Sequence, residues 1–409
     1  MSKNRKSPVR RLSGTVMLFF FLAFLLLSLR DMSRLGFVLT VAVPVMIFIG
    51  TNVLPRLFPA DGLLLTLTNF LCALGVLVLY STNPSYALQQ AVSYGIGLGG
   101  MIFCIYLIRN VRSWKKALLF LMPFALFMLI LPVLTGTEIN GAKNWIRFGP
   151  VSFQPSEPVK LVLILALAFY ISERKTIPWL LFTLLALSLL MLEKDLGTAL
   201  LYYCTALLIF WAASGNLPAT GLGIFGGCGA ALLGYRMFAH VRTRVRIWQN
   251  PWEDVNGTGF QLIRGLMAIA SGGWVGVGLG LGAPTSVPVY ESDFIFSVIC
   301  EQFGLIFGIC VLIMYLLFIW RSTEIAMAAG KSFCGLLTMG ATVMLGLQTF
   351  VIIGGILKLI PLTGVTLPFI SYGGSSLVSS MCMTGLIQGV ESLNKEQLRQ
   401  DAHLTMLER

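Results

Sequence analysis

An acidic residue opens an uninterrupted apolar stretch in Glu291-Ser292-Asp293-Phe294-Ile295-Phe296. The start of a helix favours the ionised carboxylate, whereas partial burial in a dry cleft raises its pKa. A carboxylate held ionised yet poorly hydrated is a competent general base. The plainer reading of Asp293 is a helix cap. A second constellation, Phe153-Gln154-Pro155-Ser156-Glu157-Pro158-Val159-Lys160, has the prolines and serine of a helix mouth. It places Glu157 and Lys160 on one helical face as the chain enters apolar sequence. Charges there must pair whatever their role, so the two form either a structural ion pair or a contact to substrate. Asp195, in Glu193-Lys194-Asp195-Leu196-Gly197-Thr198, either sits in a solvated turn facing the positive end of the next helix or takes part in function.

Cationic and broken segments supply the rest. Arg242, Arg244, Arg246 and Arg264 crowd one long polar segment. Guanidinium forks grip phosphate oxygens with two hydrogen bonds at once, which suits a pyrophosphate-bearing lipid. Anchorage to anionic headgroups is the alternative. From Pro361 to Ser376 the chain carries prolines at 361 and 368 and glycines at 364, 373 and 374. Irregular backbone at membrane depth is tolerated only where it packs in protein or lines a cavity. That segment would form a third wall beside the arginine loop and the stretch Gly141-Ala142-Lys143-Asn144-Trp145-Ile146-Arg147.

The elements that position these residues must lie in a membrane. Of 409 residues, 56% are hydrophobic and 11% charged, and the mean hydropathy is +0.84. A soluble domain carries roughly 25% charged residues. The composition excludes a disordered chain, a disulfide scaffold and an ordinary cytosolic enzyme. The net charge of +12 suits phospholipid headgroups better than nucleic acid in such a chain. All eight cysteines lie in or against apolar runs and His240 and His403 are the only histidines, so neither a zinc site nor an organic cofactor is indicated.

Stretches long enough to cross a bilayer, about 20 residues each, fall near 12–29, 35–54, 62–80, 86–108, 116–134, 157–172, 177–192, 197–214, 217–238, 293–319, 333–356 and 365–391. They predict an all-α polytopic bundle. The basic leader from Lys3 to Arg11 imitates a secretory signal, but Ser28-Leu29-Arg30-Asp31 offers no small-residue cleavage site. Lys and Arg in short loops stay cytoplasmic. Arg109, Arg112, Lys115, Lys116, Arg174, Lys175, Arg321, Lys331, Lys395 and Arg399 then lie inside with both termini. Loops 136–156 and 239–292 lie outside. Within the second, Ser271 to Leu281 is apolar but glycine-rich, which disfavours helix by about 1 kcal/mol per Gly, and it is expected to be re-entrant.

The motifs together resemble the SEDS family of RodA-, FtsW- and SpoVE-like proteins. They are Gly141-Ala142-Lys143-x-Trp145, Phe153-Gln154-Pro155-Ser156-Glu157-x-x-Lys160, Asp195-Leu196-Gly197-Thr198, Asn250-Pro251-Trp252-x-Asp254, Ser292-Asp293-Phe294-Ile295-Phe296 and Leu367 to Ser376. Their order matches too, over roughly residues 60 to 391. The resemblance implies a core of about ten helices at 58–392, preceded by two extra transmembrane helices in 1–57 and followed by a cytoplasmic tail at 393–409. It also implies a peptidoglycan glycosyltransferase that polymerises lipid II at the outer face of the bacterial cytoplasmic membrane, in division, elongation or sporulation. A class B penicillin-binding protein would be its partner.

Asp293 corresponds to the family's essential catalytic aspartate. The usual P-E-x-H-T-D becomes Pro288-Val289-Tyr290-Glu291-Ser292-Asp293, so roles assigned to that Glu and His do not transfer. In the implied reaction a sugar hydroxyl attacks an anomeric carbon and expels lipid pyrophosphate. One base and a set of cations suffice, with Mg2+ or Mn2+ as a candidate divalent cofactor. The expected substrate contacts are Lys143, Trp145, Glu157, Lys160, Asp195, Arg242, Arg246, Ser371, Gly373 and Ser375. A lipid II flippase and a non-catalytic scaffold of the cell-wall synthesis complex are the alternatives.

Overall fold

The computed structural model describes residues 8–111, 113–139, 142–148 and 151–407. The leader before Pro8, Arg112 and Gly141 lie outside the described residues. The helices are α1 (Pro8–Asp31), α2 (Arg34–Phe48), α3 (Leu54–Leu57), α4 (Gly62–Thr82), α5 (Pro84–Asn110), α6 (Trp114–Thr135), α7 (Ser156–Ser172), α8 (Thr176–Leu192), α9 (Leu196–Ser214), α10 (Leu217–Met237), α11 (Ala239–Gln249), α12 (Phe260–Gly272), α13 (Ile295–Ala328), α14 (Phe333–Ile356) and α15 (Gly374–Leu407). Lipid offers the backbone no hydrogen-bond partners, so apolar runs of this length must satisfy their own amides and carbonyls as helix. The chain is a polytopic, largely helical membrane protein. Among the described residues, nine helices are both long and apolar enough to cross a bilayer. Helices α7 and α8 have 17 residues each, about 25 Å of rise, the short end of a crossing.

Helix α4 is the buried hub of the bundle, covered on one side by α1 and α2 and on the other by α5 and α13. The most extensive helix pair, α5 with α15, packs through small residues on both partners. A Cβ at Gly97 would meet Met381 Sδ at 2.4 Å, and one at Gly385 would meet the Met101 carbonyl oxygen at 2.5 Å. Close backbone approach is how membrane helices gain dispersion energy when burial from lipid contributes little. Helix α10 is the least buried span.

Three helices break where the sequence carries glycine or proline. Between α2 and α3 a π-turn at Ile49–Val53 precedes Pro55. Inside α13, Gly304 has φ 84° and ψ 169°. The freed carbonyls of Glu301 and Gln302 accept the amides of Val277 (2.9 Å) and Gly278 (3.0 Å), and the Leu305 amide donates to the Gly273 carbonyl at 2.9 Å. The glycine-rich stretch, non-helical as its composition predicts, therefore docks into the break. Arg30, at the end of α1, donates to the Gly280 carbonyl at 3.3 Å.

The third break shifts an expected boundary. Residues 365–373 are not helical, and α15 begins at Gly374, then continues through the expected tail to Leu407. The irregular stretch is tied in by side chains, with Gln348 Nε2 donating to the Thr366 carbonyl at 2.8 Å and Gln90 Nε2 to the Ser371 carbonyl at 2.9 Å. The outer segment before α7 also differs from a plain loop. It forms a three-stranded antiparallel sheet, β1 (Thr137–Ile139), β2 (Ala142–Phe148) and β3 (Val151–Phe153), with Trp145 opposite Thr137 and Ile146 opposite Phe153. The long segment 239–292 is likewise mostly α11 and α12.

Candidate functional site

Segments that follow the fifth, seventh, ninth and eleventh apolar stretches converge on one cleft of about 650 Å³. Its walls come from the sheet, the mouths of α7 and α9, helix α11, the turn before α13 and the irregular segment before α15. Segments after even-numbered stretches meet elsewhere, where Asp61, Arg321 and Gln388 join. Alternation of this kind is what an inside–outside loop pattern requires.

Asp293 lies in the cleft wall, on a turn that closes as Ser292 and Phe294 donate their amides to the Val289 carbonyl at 3.2 and 3.4 Å. Val289 has φ 55°, a strained conformation for a β-branched residue. Burial pushes the Asp293 carboxyl up to about 6, while the Ser292 hydroxyl, donating at 3.1 Å, and the Arg244 guanidinium pull it down. Arg244 is itself depressed by burial and donates to the Thr363 carbonyl at 2.7 Å. A Cβ at Gly364 would stand 3.6 Å from both Arg244 Nη2 and Asp293 Oδ2. The glycine thus lets a cation and the carboxylate face one gap. Lys194 lines the same cleft, and His240 is pushed down by burial and by the charges of Arg244 and Lys194.

Glu157 and Lys160 form the ion pair that their spacing allows, at a place where substrate contact is also open to them. The pair is buried, at 2.8 Å, and both residues line the cleft. Lys160 also donates to Gln348 Oε1 at 3.2 Å, and Gln348 reaches Thr366, whose hydroxyl pairs with Ser376 at 2.6 Å. The chain of bonds joins α7, α14, the irregular segment and α15. Glu157 Oε2 has no hydrogen-bond partner among the described residues, which leaves acceptor capacity at the cleft floor.

Asp195 lines the cleft but is saturated. It caps α9 through the Thr198 amide (3.0 Å) and hydroxyl (3.0 Å), and accepts Asn144 Nδ2 at 2.9 Å and Gln154 Nε2 at 3.1 Å. Those bonds pin the sheet to the helix. Next to it, Glu193 is buried, and burial with the neighbouring Asp195 charge pushes it up to about 9. Its carbonyl accepts the Lys143 amide at 2.9 Å.

The remaining expected contacts divide. Trp145 and Gly373 line the cleft. Lys143 is exposed and outside its walls, as are Arg242 and Arg246; Arg242 bonds the Arg236 carbonyl at 3.0 Å. Ser371 is buried behind the wall, taking the Leu367 amide at 2.8 Å and donating to the Ser292 carbonyl at 2.6 Å. It braces the Asp293 turn. Ser375 is also behind the wall, with a buried hydroxyl that lacks a partner among the described residues. Treating 239–292 as loop concealed Arg244. On α11, His240, Arg244, Ile247 and Trp248 recur at helical spacing and turn inward, while Arg242 and Arg246 turn out.

Comparison with known proteins gives consistent findings. The sequence model of one protein family, FTSW_RODA_SPOVE, described as cell cycle protein, matches residues 61–396. Stage V sporulation protein E of Bacillus subtilis (strain 168) is 32% identical over 364 residues, covering 82% of this chain and 98% of that protein. Peptidoglycan glycosyltransferase RodA of Mycobacterium leprae is 29% identical over 375 residues, covering 84% and 80%. A solved structure described as "Structural coordination of polymerization and crosslinking by a peptidoglycan synthase complex" matches with TM-score 0.69 and 29% identity, over 82% of this chain and 98% of that one.

Proposed function

The chain belongs to the FtsW/RodA/SpoVE family of cell cycle proteins, and from that membership and the cleft we propose that it is a peptidoglycan glycosyltransferase polymerising lipid II, with Asp293 as general base. The observation that carries the base assignment is the Asp293 carboxyl itself, raised to about 6 by burial yet facing Arg244 across Gly364. Near neutral pH such a group is mostly ionised and still basic enough to accept a proton as it leaves a sugar hydroxyl. The acceptor oxygen forms a bond to the donor's anomeric carbon, the bond from that carbon to the pyrophosphate oxygen breaks, and the proton passes to Asp293. A pyrophosphate leaves readily once its charge is met, so a second carboxyl as acid, which glycoside hydrolysis needs, is unnecessary.

Arg244 and Lys194 form the cationic wall that receives the departing pyrophosphate, replacing the exposed Arg242 and Arg246 in that role. Lys160, neutralised by Glu157, organises the floor. A divalent cation would rely on substrate: Mg2+ is commonly held by one or two carboxylates together with phosphate oxygens, and Glu291 in the cleft would supply the carboxylate, leaving Asp293 free to take the proton. Among the described residues no group of three His, Cys, Asp or Glu could hold such an ion without substrate. When bound, the ion would neutralise pyrophosphate charge.

Basic residues in the short loops opposite the cleft favour a cytoplasmic location for that end and for both termini, which supports the reading of the cleft as outward-facing. A class B penicillin-binding protein is the partner proposed, supported by likeness to a synthase complex that couples polymerisation with crosslinking. Purified protein given labelled lipid II, alone and with such a partner, tests the reading. Glycan polymer from wild type and none from a folded Asp293→Asn variant is expected. Transport without polymer would indicate a flippase, and undiminished polymerisation by the variant would remove Asp293 as base.

A further inference from the structure

The cleft is chemically two-sided about Asp293. One side is cationic, with Arg244 beside Gly364 and Lys194 in the same wall; burial and their charges hold the pKa of the nearby His240 imidazole down. The other side is aromatic. Tyr372 lines the cleft, and its ring lies 4.7 Å from that of Tyr86, at 39°, with both tyrosines half-buried. The Tyr372 hydroxyl bonds Gln89 Oε1, which is exposed, and Tyr290 stands close enough to feel both Tyr86 and Glu291. Main-chain bonds register this group against the base. The Tyr372 amide donates to the Glu291 carbonyl at 2.8 Å, and the Ser371 hydroxyl donates to the Ser292 carbonyl at 2.6 Å. The platform thus begins two residues from Asp293, about 7 Å along the chain.

We propose that Tyr86, Tyr372 and Gln89 form the subsite for the acceptor saccharide, opposite a donor-pyrophosphate side at Arg244 and Lys194. The assignment rests on the glycosyltransferase reading and deepens it. A pyranose ring presents a face of C–H groups and an edge of hydroxyls. Half-exposed tyrosine rings offer the matching apolar body and polar tip, and an exposed amide supplies both donor and acceptor for the hydroxyl edge. Pyrophosphate requires the opposite, a concentration of cations, which the aromatic side lacks in its named residues. A sugar lying over Tyr372 would extend its terminal hydroxyl toward Asp293, and an anomeric carbon tethered to pyrophosphate at Arg244 would meet it there. Tyr86 and Tyr372 are therefore assigned as acceptor-binding residues rather than as general support.

The plain alternative is that the tyrosines only mark the membrane interface, where such residues are common. The test uses a soluble N-acetylglucosaminyl–N-acetylmuramyl disaccharide, capped as its methyl glycoside so that it cannot act as donor. Its contact with protein in lipid nanodiscs is read by saturation-transfer NMR on the sugar C–H protons. Its extension by lipid-linked donor is read by steady-state kinetics. Tyr86→Ala should weaken disaccharide binding and raise its KM about tenfold, the effect of roughly one lost contact, and leave the donor KM within about twofold. Tyr86→Phe should retain binding, and Arg244→Ala should show the reverse split. Equal shifts in both KM values, or none, would overturn the subsite. Wild-type protein that binds the disaccharide at Tyr86 yet never extends it would sink the glycosyltransferase reading and leave the subsite standing.

Discussion

Two carboxylates at opposite ends of the bundle differ in how completely their charges are met. Asp61 is buried and saturated: Oδ1 takes the Leu64 amide at 2.8 Å, and Oδ2 takes Arg321 Nε and Nη2 at 3.0 and 2.8 Å. Its main chain exchanges two further bonds with the Gln388 side chain, at 2.7 and 3.1 Å. Four such bonds staple α4, α13 and α15. Asp293, among the described hydrogen bonds, receives only the Ser292 hydroxyl. Burial acts on it without full compensation, and the result is a raised pKa and open acceptor capacity. The charge that holds the fold has every partner, and the one proposed to take a proton does not.

That contrast predicts opposite failures. Asp293→Asn should lower polymerisation about a thousandfold, within the range for a lost general base, without lowering the melting temperature at pH 8, because it removes a poorly compensated buried charge. Arg244→Ala should reduce kcat/KM for lipid II about a hundredfold, whereas exposed Arg242→Ala should change it less than about twofold; equal effects would return the α11 arginines to headgroup anchoring. Asp61→Ala should behave the other way, costing about 2–4 kcal/mol of stability in thermal unfolding while folded molecules retain their turnover. Were it to abolish turnover in molecules that remain folded, the division between the two ends would be wrong.

Glu193 gives the change whose sign is most diagnostic. Its carboxyl ionises near the ordinary 4.5 when unfolded and near 9 when folded. Wild-type stability therefore falls as pH rises from 4.5 toward 9. Glu193→Gln, which cannot ionise, should be more stable than wild type at pH 8, by up to about 5 kcal/mol if the whole shift is expressed, and no different at pH 4. Calorimetry at the two pH values checks the sign.

The helical membrane bundle was legible in hydropathy, and the non-helical character of Gly273 to Leu281 in its glycine content, since both follow from local composition. The boundary of α15 was not. Apolar residues such as Val365, Leu367 and Ile370 read as helix, and only tertiary bonds from Gln348, Gln90 and Ser371 make their irregular backbone satisfiable. At the site, Asp293 and the Glu157–Lys160 pair were visible from charge placed against apolar sequence. The difference between Arg244 and its neighbours required recognising α11 as a helix, and the bracing role of Ser371 required knowing that the turn before α13 lay beside it. Motif spacing locates walls, but it does not say which side of a wall a side chain occupies.

The pH dependence of lipid II polymerisation tests the central claim most directly. With Asp293 as base, kcat/KM should fall tenfold per unit below about pH 6, and the residual rate of Asp293→Asn should lose that limb. An acid limb that sits near pH 4, or one that persists unchanged in the variant, would contradict the assignment.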